Sequence, residues 1–291
     1  DYADIAERPE YQDNSGNPIQ SEIDQAIKRV LDSGWYVLGT EVDAFEKEFA
    51  SFHGKDFHAV GVANGTDAIA LCLRGLGLGI GDEVITPSHT AVATVAGIEQ
   101  AGCTPVFADI DPHTRCIAPN SVRERVGSFT RAIMPVHIYG QPAEMLKILE
   151  IAKAHNLAVI EDCSQAHGAQ INGKSVGSFG DVSIWSFCQD KIISTGGEGG
   201  MLTTNSRDIY DKVWSFRDHG KTKNSIKIFG NPNLIINKKI IIAKFLKDHR
   251  IFMTSVIAAL SLGGNWTIYD KDSINTSFPN FFELLNLTSQ S

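Results

Sequence analysis

Short apolar runs rich in valine and isoleucine alternate with helical patterns from about residue 19 to residue 222, and this alternation constrains the fold more than any other feature. Strands of a parallel sheet are buried on both faces and need crossover helices between them. The pattern therefore predicts βα units and a mostly parallel sheet, with right-handed crossovers that place helices on both faces. The predicted strands are 59–62, 83–85, 104–107, 132–135, 158–160, 183–185 and 201–204, and helical patterns include 67–76, 92–101 and 143–155.

The composition changes abruptly near Ser225. Residues 226–291 contain 11 isoleucines and 7 asparagines but three of the chain's 26 glycines, and their net charge is +3 against −11 for the first 225 residues. We therefore predict a large domain with an N-terminal segment at 1–225 and an atypical tail at 226–291. Two interpretations of the tail remain open: a divergent helical end, or a segment from a different evolutionary unit that truncates or replaces a small domain.

Charge and cysteine usage narrow the class of protein. The net charge of −8 argues against a nucleic-acid binder and favours an enzyme or carrier. Five scattered cysteines without paired metal-ligand spacing predict reduced thiols and a cytoplasmic location, and the nine histidines show no spacing typical of a metal site. The apolar run at 252–264 is too short to cross a bilayer, and no segment resembles a secretory signal.

Two residues at the ends of predicted strands carry the most specific chemistry. Lys191 follows the strand at 183–185 and precedes a glycine-rich turn, while Asp162 follows the strand at 158–160. A lysine that can form an imine and an acid that can pair with a pyridine nitrogen are what an enzyme using pyridoxal 5′-phosphate (PLP) needs. Taken without Lys191, Asp162 is better explained as an acid at a strand end that caps a turn, and Lys191 by itself is one of many lysines.

A third feature predicts a phosphate site. Asn64, Gly65, Thr66 and Asp67 follow a predicted strand and open a predicted helix, where free backbone N–H groups and the positive end of the helix dipole attract anions. Ser186, at the end of another predicted strand, offers a second hydroxyl donor. The plainer alternatives are an N-cap formed by Asn64 or Thr66, and an ordinary serine at a strand end.

Together, several segments resemble the DegT/DnrJ/EryC1/StrS family of sugar-nucleotide aminotransferases over about residues 19–223. The resemblance implies a three-layer α/β fold with a mostly parallel sheet, the large domain of the aspartate-aminotransferase fold (PLP fold type I). The segments that carry it are 34–39 with 45–46, 63–68, 81–90, 136–142, 161–168, and the stretch from the Lys191 segment to 217–220.

The resemblance also assigns roles to residues of the site. It implies that PLP is the cofactor and is attached to Lys191, that Asp162 binds the ring nitrogen and that Gln165 contacts the ring oxygen. The phosphate is assigned to Gly65, Thr66 and Ser186. Many relatives place an aromatic residue over the ring, at a position equivalent to Ala91, and we expect His89 to stack there instead.

The implied activity is transfer of an amino group, with glutamate as donor, to a nucleotide-linked keto sugar such as a keto-6-deoxyhexose, for surface polysaccharide or glycoside biosynthesis. The implied assembly is a homodimer. The chain departs from the family after about Lys223, where no Gly-x-Asn-x-Arg-Met-like segment and no small domain is recognisable. Two alternatives therefore stay open: another fold-type I PLP enzyme, such as a lyase or desulfurase, and an impaired fragment that binds only a cofactor or a partner. Lys191 argues against the related dehydratases, which carry a histidine in place of the lysine.

Overall fold

A computed structural model describes residues 20–218, 220, 239–242, 249–262, 265–268 and 281. The chain divides into two units, Asp1–Ile226 and Lys227–Ser291.

A seven-stranded sheet forms the centre of the first unit, which also contains a separate two-stranded hairpin. In chain order the strands are β1 (His58–Val62), β2 (Glu83–Pro87), β3 (Thr104–Ala108), β4 (Thr130–Ile133), β5 (Ala158–Asp162), the hairpin strands β6 (Gln170–Ile171) and β7 (Lys174–Ser175), β8 (Val182–Ser186) and β9 (Gly200–Thr204). The order in the seven-stranded sheet is β1-β9-β8-β5-β4-β2-β3. Within this sheet β9 is antiparallel to its two neighbours, and every other pair is parallel.

Helices cover both faces of this sheet. They are α1 (Gln20–Ser33), α2 (Thr40–His53), α3 (Gly65–Gly75), α4 (Val92–Gln100), α5 (Pro119–Arg125), α6 (Met145–His155) and α7 (Arg207–Arg217). One apolar cluster joins residues such as Ile160 and Ile184 to α3, α4 and α7, and another joins Val159 and Ile133 to α5 and α6. Neighbouring residues on β5 face opposite layers, as the alternation of a strand requires. The predicted three-layer α/β fold is therefore confirmed.

The predicted strands all appear, and β4 differs most from its expected bounds. It runs from Thr130 to Ile133 instead of 132–135. Pro135 has no N–H to give to a ladder, which favours an end before it, and Thr130 extends the strand at the other end by pairing with Glu83.

One edge of the sheet collects the ends of several strands. β1, β5 and β8 are parallel in direction, so their carboxyl ends meet the amino end of the antiparallel β9. Gly200, the first residue of β9, pairs with both Val62 and Ser186. A Cβ on Gly200 would lie 2.3 Å from the backbone carbon and oxygen of Asn64, so glycine permits this close packing of the edge.

The second unit contains two paired strands with a helix between them. β10 (Lys239–Ile242) and β11 (Asn265–Ile268) are parallel, and α8 (His249–Leu262) connects them in sequence. Phe252 and Phe281 are buried and pack with apolar residues that include Val256 and Ile257. The interpretation of the tail as a divergent helical end accounts for α8 but not for the strands at 239–242 and 265–268. Paired residues of β10 and β11, such as Lys239 and Asn265, lie far apart in the sequence, so the local pattern does not reveal the pairing. In the part of the chain that the structure describes, no helix has the length and apolar character to span a membrane.

Candidate active site

A cavity of about 510 Å³ opens at the sheet edge described above, and we call it the edge cavity. Most of the residues predicted from sequence to act on the cofactor line it. The turns after β1, β2 and β5 and the loop between β8 and β9 contribute to its lining. They converge because parallel strands bring their carboxyl ends to one edge of the sheet. The predicted residues that line the edge cavity are Gly65, Thr66, Asp162, Gln165, Ser186 and Lys191.

His89 does not line the edge cavity, whereas Ala91 does. The ring of His89 lies against Tyr139, with the centroids 5.7 Å apart, and its Nε2 is 3.1 Å from the Tyr139 hydroxyl. The structure thus pairs His89 with a tyrosine, and the expected stacking of His89 on a cofactor ring gains no support from this arrangement.

The amino end of α3 forms one wall of the edge cavity. Asn64 is the N-cap, and its side-chain oxygen accepts from the N–H of Asp67 at 2.8 Å. This cap leaves the N–H groups of Gly65 and Thr66, the first two of the helix, outside the capping bond. A Cβ on Gly65 would lie 3.0 Å from the Cβ of Ser186, so the glycine lets the helix start approach the end of β8 closely.

Asp162 ends β5 and is 3% exposed. Its Oδ1 accepts from the N–H of Ser164 at 3.1 Å, and its Oδ2 lies 3.0 Å from the hydroxyl of Thr94 on α4. Thr94 in turn lies 2.8 Å from the hydroxyl of Thr90. An ionised carboxylate has about four acceptor positions. Two are used among the described residues, so Asp162 can still accept from a group in the edge cavity.

Lys191 contributes a primary amine to the lining of the edge cavity. It lies in the loop between β8 and β9, with its side chain 20% exposed and its Nζ 3.1 Å from Asp190 Oδ2. Asp190 is largely exposed, so this ion pair is a weak restraint that a ligand can replace. Cys188 and Glu198 of the same loop also line the cavity, and the Cys188 thiol donates to Glu198 at 3.2 Å.

Gln165 is oriented by the backbone of a strained residue. Its Oε1 accepts from the N–H of Tyr139 at 2.8 Å, and Tyr139 has a φ of 58° in a short 3₁₀ turn. A tyrosine in the left-handed region is uncommon and is held there by its surroundings. With its oxygen used, Gln165 is left with an amide NH₂ group that can donate to an acceptor in the edge cavity.

Glu161, the residue before Asp162, lies in very different surroundings, which we call the Glu161 network. Its Oε1 accepts from the N–H groups of Phe179 and Gly180, both at 2.7 Å. Its Oε2 accepts from Gly177 N–H at 2.8 Å and from His137 Nε2 at 3.1 Å. Burial opposes the charged form, but these hydrogen bonds outweigh it and hold the pKa of Glu161 below its ordinary value.

The Glu161 network also contains the one group of potential metal ligands close enough to share an ion, among the residues that the structure describes. Ligand atoms of His137, Glu161 and Cys163 lie within 4.8 Å of one another. However, His137 Nδ1 accepts from Ala143 N–H at 3.0 Å, and its Nε2 meets Glu161. Both ring nitrogens of His137 and both carboxylate oxygens of Glu161 therefore already have hydrogen-bond partners, which indicates a structural role for these residues.

Sequence reasoning missed Thr94 and the backbone contact of Ser164. Thr94 belongs to the predicted helical pattern at 92–101, where a single hydroxyl among apolar residues offers a weak signal. Its contact with Asp162 joins residues 68 positions apart. Only the packing of α4 against the sheet brings the two together.

Comparison with known proteins identifies the group to which this architecture belongs. The sequence model of the DegT/DnrJ/EryC1/StrS aminotransferase family matches residues 17–240, which extends 17 residues beyond the resemblance read from the motifs. A dTDP-3-amino-3,6-dideoxy-alpha-D-galactopyranose transaminase from Aneurinibacillus thermoaerophilus is 47% identical over 74% of this chain and 59% of its own length. A UDP-N-acetyl-3-dehydro-alpha-D-glucosamine 3-aminotransferase from Acidithiobacillus ferrooxidans is 43% identical over 70% of this chain and 55% of its own.

A solved structure agrees with these relatives. NtdA from Bacillus subtilis, crystallised with the cofactor PMP bound, superposes with a TM-score of 0.68 at 30% identity, covering 77% of this chain and 52% of NtdA. The chain thus spans little more than half the length of the proteins that it matches. The match of the family model over most of the sequence, together with this fold, shows that the chain belongs to the DegT/DnrJ/EryC1/StrS aminotransferase family.

Proposed function

We propose that this chain binds PLP in the edge cavity and that the activity it serves is transamination of a nucleotide-linked keto sugar. The observation that carries the proposal is the presence of an amine, Lys191, and a buried carboxylate, Asp162, on the walls of one cavity that also contains a helix start. Each group has a counterpart on PLP: the aldehyde, the ring nitrogen and the phosphate.

The residues present fit PLP. A Cβ on Gly65 would lie only 3.0 Å from the Cβ of Ser186, so the glycine brings the backbone N–H groups of the helix start and the Ser186 hydroxyl close enough to receive one phosphate. Asp162 has acceptor capacity for a protonated ring nitrogen, and the amide of Gln165 can donate to the ring oxygen. Lys191 is the residue to which the cofactor would be attached. When bound, PLP supplies an electron sink for the bond that is broken at the amino-acid Cα.

The chain's own residues then divide the remaining work. With PLP bound, the Lys191 amine would act as general base and then as general acid: it would take the proton from the Cα of the amino donor and give it to the carbon of the cofactor's aldehyde group. Asp162 would accept a hydrogen bond from the ring nitrogen and keep it protonated. The first turn of α3 and Ser186 would hold the phosphate.

The names of the relatives suggest the substrate class. The names of the two relatives specify a dTDP-linked and a UDP-linked sugar, and the dTDP-linked sugar is a dideoxy hexose. We therefore propose a nucleotide-linked keto sugar, with a keto-6-deoxyhexose as the first candidate and glutamate as amino donor. The product would enter surface polysaccharide or glycoside biosynthesis. The proposal includes a homodimer, as the resemblance to the family implies.

Location and other partners are part of the same proposal. All five cysteines are free, which fits a reducing compartment such as the cytoplasm. The acidic net charge of −8 gives no reason to expect a nucleic-acid partner.

The test follows the two half-reactions on one preparation. Glutamate is added to the PLP-loaded protein, and the absorbance of the cofactor is followed; a keto sugar nucleotide is then added to reverse the change. We expect both changes in the wild type and neither in Lys191→Ala. Sulfur release from cysteine with no response to keto sugars would favour the lyase or desulfurase alternative. Saturable PLP binding with no response to any amino donor would favour the impaired fragment.

A further inference from the structure

We propose that Thr94 is a positioning residue for the cofactor: it fixes the carboxylate of Asp162 in the orientation that pairs with the ring nitrogen. This inference rests on the proposed function, because it takes Asp162 as the partner of that nitrogen. The observation behind it is the 3.0 Å distance between Thr94 Oγ1 and Asp162 Oδ2. Both residues are almost fully buried: Thr94 is 1% exposed and Asp162 is 3% exposed.

The direction of the hydrogen bonds follows from the chemistry of the three groups. An ionised carboxylate only accepts, so the hydroxyl of Thr94 donates to Asp162. That uses the single hydrogen of the Thr94 hydroxyl. The 2.8 Å contact between Thr90 and Thr94 is therefore a hydrogen bond in which Thr90 donates. The result is an ordered chain from Thr90 through Thr94 to Asp162, in which each bond polarises the next.

The second carboxylate oxygen is held independently. Asp162 Oδ1 accepts from Ser164 N–H at 3.1 Å. With one donor on each oxygen, rotation of the carboxylate about its last torsion would break at least one bond. The site is nearly closed to solvent at Asp162, so water cannot readily replace a lost donor. The remaining acceptor positions are thereby kept in a fixed direction.

The hydroxyl of Thr94 is also not engaged in a hydrogen bond to the backbone of its own helix start. Thr94 is the third residue of α4, whose N-cap residue, Ala91, makes no side-chain capping bond. Threonine in such positions commonly bonds to nearby backbone. Here the hydroxyl donates instead to a side chain on β5, 68 positions away in the sequence.

The test compares PLP with 1-deazapyridoxal 5′-phosphate, which has a C–H in place of the ring nitrogen. The ratio of the two dissociation constants, measured by absorbance titration of the full chain, isolates the contribution of the nitrogen. It is an equilibrium measurement that does not depend on turnover. Thr94→Val removes the hydroxyl at nearly constant shape, and Thr94→Ser keeps it. Thr86→Val is the matched control, since the buried Thr86 hydroxyl donates to the backbone oxygen of Met134 at 3.1 Å and does not contact Asp162.

We expect wild type, Thr94→Ser and Thr86→Val to prefer PLP over the deaza analogue by similar factors. In Thr94→Val the preference should shrink by roughly tenfold, the amount that one hydrogen bond to a charged group typically contributes. Thr90→Val, which removes the first donor of the chain, should reduce the preference by about two- to threefold. It also serves as the test if Thr94→Val does not fold.

Several outcomes would overturn the inference. An unchanged preference in Thr94→Val would show that Asp162 is positioned without the hydroxyl. Equal losses in Thr94→Ser and Thr94→Val, or in Thr86→Val, would show that packing is responsible. These results leave the proposed function intact. If the wild type binds PLP and the deaza analogue equally, or binds neither, the assignment of Asp162 to the ring nitrogen fails and the inference about Thr94 fails with it.

Discussion

Glu161 and Asp162 are neighbours on β5, and the two carboxylates lie in regions built for different purposes. Glu161 faces the Glu161 network, where four donors occupy both of its oxygens. Asp162 faces the edge cavity, where two donors hold it and acceptor capacity remains. Both residues are almost fully buried, so burial alone does not distinguish a structural acid from one that binds a ligand. The unfilled acceptor positions make that distinction.

The comparison explains how one strand end supports two tasks. The Glu161 network joins β5 to the segment before β8 through Gly177, Phe179 and Gly180, and to His137. Because it is saturated, it fixes the backbone on which Asp162 stands. The next residue can then present a carboxylate to the edge cavity without having to hold the strands together.

The largest expected effect concerns the amine of the edge cavity. Lys191→Ala should lower the rate of the glutamate half-reaction by about a thousandfold or more, because the group that moves the proton is removed. Stopped-flow absorbance would measure it, with Lys212→Ala on the surface of α7 as control. A rate within tenfold of the wild type would show that another base acts.

The second-largest expected effect concerns the carboxylate of Asp162. In Asp162→Ala we expect turnover to fall by roughly a hundredfold or more, while PLP content falls less, since Lys191 and the phosphate site remain. Activity assays together with cofactor quantification on the same samples check this. Activity equal to that of the wild type would mean that Asp162 has been assigned the wrong role.

Glu161→Gln tests the other side of the comparison. Glutamine offers one acceptor oxygen and an NH₂ group that faces backbone donors, so we expect a loss of about 2–4 kcal/mol in the free energy of unfolding. Because folding lowers the pKa of Glu161, its contribution is complete above the ordinary value of 4.5 and is lost as the pH falls below it. Urea unfolding at several pH values measures both effects. Asp162→Asn, with half as many donors affected, should cost clearly less; a larger cost there would reverse the comparison.

The smallest effect involves His53, which lies outside both regions in an aromatic cluster with Phe49, Phe57 and Trp185. Burial lowers the pKa of His53 from 6.5 to about 4, opposed weakly by Glu161. The unfolded chain therefore takes up the proton first, and stability is lost as the pH falls from 6.5 towards 4.

Between pH 7 and pH 4, the loss in the free energy of unfolding should be smaller in His53→Phe than in the wild type by about 1–2 kcal/mol. The difference is modest because His53 is only partly buried. Thermal or urea unfolding between pH 7 and pH 4 checks the change, with the exposed His155→Phe as control. A variant with the pH profile of the wild type would show that folding does not lower the pKa of His53.

The fold of the first unit could be predicted because its signal is local. Each strand is a short apolar run and each boundary has turn residues, so β1, β2, β5, β8 and β9 all lie where the pattern predicts them. The strand β10 could not be found in this way. Its identity depends on pairing with β11, and its sequence shows no alternation.

In the candidate site, too, the residues marked by a local signal could be predicted, and those that depend on tertiary packing could not. Asp162, Ser186 and Gly65 could be predicted because each stands at the end of a strand or the start of a helix, and the topology brings those points together. Lys191 could be predicted because it follows a strand end within the same loop. Thr94 could not, because its contact depends on how α4 packs. The expectation for His89 failed to anticipate its contact with Tyr139, which a left-handed backbone turn brings within reach.

The central claim is that the edge cavity holds PLP with its carbonyl carbon at Lys191. The most direct measurement is to saturate the protein with PLP, reduce it with borohydride and identify the modified peptide by mass spectrometry. The account predicts about one pyridoxyl group per chain, on the peptide that contains Lys191, and its loss in Lys191→Ala. A pyridoxyl group on a different lysine, in a protein that binds PLP saturably, would contradict the claim.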